Sequence, residues 1–194
     1  MKYEFTGETK EWCGITLRRI RAKVAFGCVA KGEVGGWIEK EENLSQVSGN
    51  AWVYGNAWVY GDAQVSGDAR VYGDARVYGD AWVYGDAQVY GNAQVSGNAR
   101  VYGDARVYGD ARVYGNAQVY GNAQVSGNAA INILTALGYC LTIHADSKIK
   151  MRFNVGCFSG SRKEFVARAK KDKIPAKAVK AALALADATI KVKP

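Results

Sequence analysis

The middle of the chain alternates apolar and polar positions with a strict six-residue period. From residue 49 to residue 126 each unit reads Gly, Asn or Asp, Ala, a variable residue, Val, and Tyr or Ser, and thirteen such units follow one another. Side chains alternate between the two faces of a strand, so Ala and Val lie on one face while the variable and aromatic residues lie on the other. The pattern therefore predicts one short strand in every unit.

The Gly-Asn and Gly-Asp pairs between these strands predict corners. Glycine adopts positive φ at no steric cost, and Asn and Asp tolerate it better than other residues. Three strands and three corners close a triangular coil of 18 residues, and successive coils stack at the strand spacing of about 4.8 Å. A hexapeptide repeat of this kind is typical of a β-helix, so we expect a mainly β fold of a little over four coils, shaped as a triangular prism.

Stacking by 18 residues also predicts which side chains fill the interior. Alanines and valines fall in continuous inward rows, such as Ala51, Ala69, Ala87 and Ala105 beside Val53, Val71, Val89 and Val107. A prism lined by such side chains is narrow and dry. We therefore predict a packed core rather than a ligand channel.

The outward positions are rich in Tyr, Trp and Arg. Ten tyrosines and the three tryptophans Trp52, Trp58 and Trp82 are expected to point outward. Aromatic ladders can stack on themselves along a solenoid, which would explain the tyrosines without a partner. The same composition is also typical of the centre of an interface. We expect at least one face to be buried by another copy of the chain or by a ligand.

Five units combine an outward arginine with an outward tyrosine two residues later. Arginine offers planar donors to phosphate or carboxylate, and a tyrosine ring offers a face on which a base can stack. The candidate ligand-binding residues are Arg70, Tyr72, Arg76, Tyr78, Arg100, Tyr102, Arg106, Tyr108, Arg112 and Tyr114. Subunit contacts without a ligand would explain these residues equally well.

The segments on either side of the repeats are predicted to cap the solenoid, which gives three regions, 1–48, 49–132 and 133–194. In the first region we expect strands at residues 2–6, 15–22 and 23–26, a sharp turn at Gly35-Gly36, and Trp37-Ile38 as a plug for the open end of the prism. In the last region, residues 133–144 and 148–155 predict a hairpin around a turn at 145–147.

Two helices are expected after the hairpin. Ser161 and Glu164 have the spacing of a capping box, which predicts a helix of about ten residues from this point. Pro175 then starts a second helix, whose apolar stripe comprises Val179, Leu183, Ala186 and Ile190.

Charge and composition narrow the partners. The net charge is +8, and residues 141–194 hold thirteen Lys and Arg against four Asp and Glu. A basic tail beside Tyr-rich faces favours an anionic partner, although a solvated basic helix explains such charge as well. Nucleic acid is a weaker possibility. No apolar run or signal segment indicates a membrane or secretion, and four scattered cysteines indicate reduced thiols in the cytoplasm without zinc.

The sequence lacks the usual catalytic motifs. There is no GxGxxG, GxxxxGK[ST], HExxH or nucleophile elbow, and the single histidine, His144, follows the repeats. A lone histidine beside a hairpin turn is more often a surface residue than a general base. We therefore expect no catalytic residue, metal or cofactor.

Three stretches of sequence resemble one family. The GNAxVYGDAxVYG repeats, the lead-in KGEVGGWIE at residues 31–39 and the tail GCFSG with Glu164-Phe165 are similar to phage- and prophage-encoded hexapeptide-repeat proteins with a left-handed β-helix. The resemblance implies the left hand, a homo-oligomer that is most often a trimer, and the cytoplasm of an infected bacterium. Acyltransferases of this fold use a histidine base and a loop that interrupts the repeats, and no loop interrupts the repeats here.

These observations together favour a non-enzymatic binding protein. We expect it to sequester a small anionic ligand, with a nucleotide immune signal of host defence as the natural target of a phage protein that evades that defence. The alternatives are a hexapeptide-repeat acyltransferase and a structural, virion-associated oligomer.

Overall fold

The computed structural model describes residues 1–47, 49–127, 130–132, 141–145, 151–155 and 158–171, together with Ala176, Val179, Lys180 and Leu183. The repeat region consists of one very short strand per hexapeptide. These strands are β4 (Trp52–Val53), β5 (Trp58–Val59), β6 (Gln64–Val65), β7 (Arg70–Val71), β8 (Arg76–Val77), β9 (Trp82–Val83), β10 (Gln88–Val89), β11 (Gln94–Val95), β12 (Arg100–Val101), β13 (Arg106–Val107), β14 (Arg112–Tyr114), β15 (Gln118–Val119), β16 (Gln124–Val125) and β17 (Ala130–Asn132).

The strands stack into three parallel sheets, as the period predicts. Sheet 1 contains β5, β8, β11, β14 and β17, sheet 2 contains β4, β7, β10, β13 and β16, and sheet 3 contains β6, β9, β12 and β15. Each strand pairs with the one 18 residues further along, as in Val71 with Val89 and Val89 with Val107. The predicted β-solenoid with 18-residue coils is therefore confirmed, while its left hand remains what the resemblance implies.

Glycine alone provides the unusual backbone conformation at the corners. The repeat glycines from Gly49 to Gly127 have φ values between 57° and 73°. None of the described Asn or Asp residues beside them has positive φ. The glycines also stack closely, because a Cβ at Gly91 would lie 3.0 Å from the backbone nitrogen of Gly109.

The inward rows form one continuous hydrophobic core. Every alanine from Ala51 to Ala117 and every valine from Val53 to Val125 at the inward positions is at most 1% exposed. Side chains from all three sheets belong to the same cluster, which confirms the packed interior.

The first region extends sheet 1 and closes the start of the solenoid. It contains β1 (Tyr3–Trp12), β2 (Ile15–Ala22), β3 (Val34–Ile38) and a 3₁₀ turn (Glu41–Asn43). β1 and β2 form an antiparallel hairpin, β2 pairs with β3, and β3 pairs in parallel with β5, so sheet 1 has eight strands. We call residues 1–47, which include these three strands and the 3₁₀ turn, the cap. β1 is longer than predicted.

Two local predictions for the cap were wrong. Residues 23–26 do not form a strand, and only an isolated bridge joins Phe26 to Val29. Gly35 and Gly36 lie inside β3 and do not form a turn. They are needed for close packing, because a Cβ at Gly35 would lie 2.7 Å from Ile20, Trp52 and Val53, and one at Gly36 would lie 2.6 Å from the Ala57 carbonyl.

The end of the core is closed by side chains that continue its inward rows. Ile38 pairs with Val59 and Leu44 bridges to Val65, and both side chains are at most 1% exposed. Tyr3 is also buried, and its hydroxyl donates to the carbonyls of Glu41 and Leu44 at 3.1 and 2.9 Å.

Trp52 was expected to point into solvent, and that prediction was wrong. It occupies the outward position of β4 but is completely buried. Tyr3, Phe26 and Tyr54 pack edge-on against its ring, with centroids 6.1, 5.5 and 6.4 Å away. The cap therefore covers the first strand of sheet 2.

The last region contains a small antiparallel sheet and a helix. β18 (Leu141–Ala145), β19 (Met151–Val155) and β20 (Phe158–Ser161) pair in order, which confirms the hairpin and adds a third strand. Of its predicted turn at 145–147, Ala145 ends β18 and pairs with Met151, while residues 146–147 and 133–140 lie outside the described residues. The helix α1 (Arg162–Lys171) starts at the predicted capping box, in which Ser161 N–H donates to Glu164 Oε2 at 2.7 Å.

The second predicted helix falls largely outside the described residues. Its members Ala176, Val179, Lys180 and Leu183 are described, and their backbone is helical.

Candidate functional site

The structure places the five predicted Arg-Tyr pairs on all three outer faces of the coils. Arg70-Tyr72 and Arg106-Tyr108 lie on sheet 2, Arg76-Tyr78 and Arg112-Tyr114 on sheet 1, and Arg100-Tyr102 on sheet 3. Members of one column are separated by the coil repeat, so the pairs do not converge on a single pocket within one chain.

The tyrosines form the self-stacked ladders that were one of the two explanations for them. Tyr72, Tyr90 and Tyr108 stack on sheet 2 with centroid distances of 4.7 and 5.0 Å and nearly parallel planes. Three further stacks are Tyr60 with Tyr78, Tyr84 with Tyr102, and Tyr102 with Tyr120, at 5.1, 4.9 and 5.3 Å. Both faces of Tyr90 and of Tyr102 are therefore occupied, and a base cannot stack on them.

Glutamines of the next coil orient the tyrosine hydroxyls. Tyr72 donates to Gln88 Oε1 at 3.3 Å and Tyr108 donates to Gln124 Oε1 at 3.4 Å. Burial raises the pKa of the Tyr54, Tyr60 and Tyr72 hydroxyls, and neighbouring arginines only partly oppose it. These groups stay protonated at neutral pH and can donate hydrogen bonds.

The arginines of the repeats make no ion pairs in the described part of the chain. Arg70, Arg100, Arg106 and Arg112 are exposed, although seven aspartates lie at the corners of the same coils. The ion pairs found among the described residues all involve the cap, as in Arg21 with Glu4 and Lys40 with Asp62. The five repeat arginines thus have no ion-pair partner among the described residues.

A second group of residues, which the sequence did not reveal, lies where the cap meets sheet 1. Arg76 lies over the rings of Trp58 and Trp12, with its guanidinium carbon 4.5 and 5.1 Å from their centroids. Lys10 lies 4.1 Å from the ring of Trp37 and 6.0 Å from that of Trp58. The hairpin brings Lys10 and Trp12 to Trp58, which is more than forty positions away. No local pattern could have indicated that contact.

Other classes of site find little support among the described residues. No group of three or more His, Cys, Asp or Glu residues is arranged there to hold a metal ion. None of the helices in that part of the chain combines the length and apolar character needed to cross a membrane. His144 lies in β18 opposite Arg152 of β19. Cys13 and Cys28 are exposed free thiols, and Cys140 and Cys157 lie outside the described residues.

Comparison with known proteins finds a match in the repeat region. A family model described as YdcK Beta solenoid repeat matches residues 45–61, 63–75, 69–85, 75–91, 93–109 and 105–121. These segments cover less than half of the chain. No curated protein matches the sequence. The family match and the stacked parallel strands show a repeat β-solenoid protein.

Proposed function

We propose that this protein is a non-enzymatic, phage-type binding protein that sequesters a small anionic ligand on the outer surface of its solenoid. The observation that carries the proposal is the set of outward arginines that have no carboxylate partner in the described chain. Guanidinium groups without an ion-pair partner are suited to phosphate and carboxylate. Nucleotide signals of host defence are the first ligands to test, because a phage gains from removing them.

Oligomerisation would turn these separate faces into a site. The arginines lie on three faces of one prism, so a single chain does not bring the five of them together. Where the faces of two or three copies meet, arginines from different chains would line one cleft. We expect a homo-oligomer, with a trimer favoured by the family resemblance, whose ligand lies at the subunit seams.

A packed interior supports the choice of binding over catalysis. The inward rows are closed to solvent through the described coils, and the repeats run without an inserted loop. A substrate pocket of the acyltransferase kind would need such a loop, and fold alone does not supply an activity.

The test begins with protein purified from the expressing host. It is denatured, and the supernatant is assayed for ultraviolet-absorbing small molecules. Refolded or unliganded protein is then titrated with cyclic and linear nucleotides by calorimetry, and its mass in solution is measured with and without each ligand. We expect a released or titratable anionic ligand and an oligomer. Absence of any released molecule and of any heat would refute the proposal.

A matched variant separates binding from folding. Glutamine already occupies the arginine position in several coils, as at Gln88 and Gln94. Replacement of all five repeat arginines by glutamine should therefore preserve the coils and abolish anion binding. Retained affinity in that variant would show that the arginines are not the binding groups.

A further inference from the structure

The junction between the cap and sheet 1 contains a small pocket rich in aromatic and cationic side chains. Lys10, Asn56, Trp58, Asp74 and Arg76 line it, and its volume is about 190 Å³. Strands β5 and β8 supply Trp58 and Arg76, which are neighbours in one column. The far end of β1 supplies Lys10, so the pocket exists only because the hairpin folds over the sheet.

The two cations of this pocket are held without ion pairing. Neither Lys10 nor Arg76 makes an ion pair within the described residues. Aromatic rings position them instead, since Arg76 contacts Trp58 and Trp12 and Lys10 contacts Trp37. A cation–π contact fixes a cation while leaving its N–H donors available to a ligand.

Arg112 shows what the cap adds to an arginine of sheet 1. It belongs to the same column as Arg76, two coils further on, and pairs with Gln94 and Ala130. It is exposed, and no described aromatic ring lies under its guanidinium. The cap therefore distinguishes one arginine of sheet 1 from an otherwise equivalent one.

We propose that this pocket binds the phosphate group of a nucleotide between Lys10 and Arg76. The inference rests on the proposed function, but it places the phosphate in a pocket of one chain and not at a subunit seam. Arginine presents a planar fork to phosphate oxygens and lysine adds a compact positive charge. With two cations against the single carboxylate of Asp74, the pocket attracts an anion.

The surroundings of the pocket suit the rest of a nucleotide. Its volume accommodates a phosphate group but not a whole nucleotide, so the base and sugar lie outside it. Trp12 is 40% exposed next to Arg76 and offers the base an aromatic surface. The amide of Asn56 and the carboxylate of Asp74 can bond to hydroxyl or amino groups of the ligand.

Calorimetric titration with AMP, cyclic AMP, adenosine and inorganic phosphate tests the site. We expect AMP or cyclic AMP to bind at low ionic strength and adenosine to bind at least about tenfold more weakly. Added salt should weaken the binding of the nucleotide. The variants are Lys10→Gln and Arg76→Gln, with Lys31→Gln, which removes an exposed lysine of the cap outside the pocket, as the control. Each of the first two should weaken nucleotide binding by about tenfold or more, because each removes a charge-assisted hydrogen bond.

Three results separate this inference from the proposed function. Lys10→Gln should weaken AMP binding and leave the weaker binding of adenosine unchanged, because adenosine carries no phosphate, whereas the loss of a merely structural contact of Lys10 with Trp37 would weaken both. If Lys10→Gln leaves nucleotide binding unchanged and the five-arginine variant abolishes it, the pocket is not the binding site. The proposed function would remain intact. No binding of any of the four probes to the wild-type protein also overturns the pocket, while the assay for released ligand still decides the function.

Discussion

Trp52 and Trp82 occupy the same position of their hexapeptides, one at the capped end of the coils and the other in the open middle. Both are the outward residue that precedes an inward valine, on β4 and β9 respectively. Trp52 is completely buried under aromatic side chains of the cap, whereas Trp82 is 43% exposed and carries Arg100 over its ring. The repeat decides the direction of a side chain, and the cap decides whether solvent reaches it.

Arginine shows the same contrast between the two regions. In the open coils Arg100 lies over the single indole ring of Trp82, while no described ring lies under Arg70, Arg106 or Arg112, and none of the four makes an ion pair in the described chain. Under the cap, Arg76 lies against two indole rings and lines a pocket. A periodic surface thus acquires a pocket with two cations where a non-periodic segment folds onto it.

Replacing the two tryptophans by alanine is the most severe test of this contrast. Trp52→Ala should lower the free energy of unfolding by about 3–5 kcal/mol, because it leaves a large cavity between cap and coil. Trp82→Ala should cost no more than about 1 kcal/mol, chiefly its cation–π contact with Arg100. Denaturant unfolding followed by circular dichroism measures both. Equal losses would mean that the cap does not pack on Trp52 in solution.

The coils could be predicted from the sequence because every interaction in them repeats. The period fixes which residues face inward, and the parallel register then follows from a shift of 18 residues, as in Gln88 with Arg106. The positions of the candidate Arg-Tyr pairs on the three faces were predicted for the same reason. The sequence could not decide whether the tyrosine rings stack on one another or on a ligand, because both require the same outward ring.

The cap could not be predicted in the same detail because its contacts are not periodic. β3 joins the coils with an offset of 21 residues between Ile38 and Val59, so extrapolating the repeat misplaces it. A bulge around Gly7, which has a φ of 93°, lengthens β1 beyond its alternating segment. Gly35 resembles a turn residue in sequence, and only the packed partners show why it is small.

Substitution of glycine should give the next largest difference between the coils and the cap. Gly91→Ala should destabilise the protein by about 2–3 kcal/mol, because its φ of 71° disfavours a Cβ and that atom would also meet the backbone of Gly109. Gly7→Ala in the cap carries the same type of backbone cost but meets no atom within 4 Å, so we expect about 1–2 kcal/mol. Thermal unfolding of the two variants tests the difference. A loss at Gly7 as large as that at Gly91 would contradict the close stacking of corners.

Tyr3 makes the cap sensitive to alkaline pH. Burial, followed by the charges of Glu41 and Glu42, raises the pKa of its hydroxyl above the ordinary value. A tyrosine whose folded-state pKa is raised stabilises the fold fully below the unfolded value of about 10, and that contribution is lost as the pH rises above it. Stability should therefore fall above about pH 10.

Tyr3→Phe isolates this contribution. It should lower the free energy of unfolding by about 1–2 kcal/mol at neutral pH, because it removes the hydroxyl that donates to the carbonyls of Glu41 and Leu44. The difference from wild type should shrink above about pH 10. Tyr114→Phe is the control; Tyr114 lies in the coils and is 36% exposed, so the change should alter stability by less than about 0.5 kcal/mol. A difference between Tyr3→Phe and wild type that stays constant with pH would contradict the raised pKa. Denaturant titrations at several pH values supply the measurement.

The smallest expected effect concerns the corner aspartates of the coils. Asp86 lies between Asp68 and Asp104 in its column, one strand spacing of about 4.8 Å from each, so three like charges are stacked. Asp86→Asn removes that repulsion and introduces an amide that can donate to a neighbouring carboxylate, as Asn50 does to Asp68 at 2.6 Å. We expect a gain of about 0.5 kcal/mol that decreases with added salt.

Asp110→Asn is the matched control, because Asp110 follows Asn92 in its column and has no like charge 18 residues away on either side. It removes the same charge from the same kind of corner, and it should give no gain. If the two substitutions changed stability equally at low salt, repulsion between stacked aspartates would not contribute to stability. The corners would then be electrostatically independent of one another. A gain at Asp86 alone would show that the exact vertical register of the coils, which the period predicts, also sets their electrostatics.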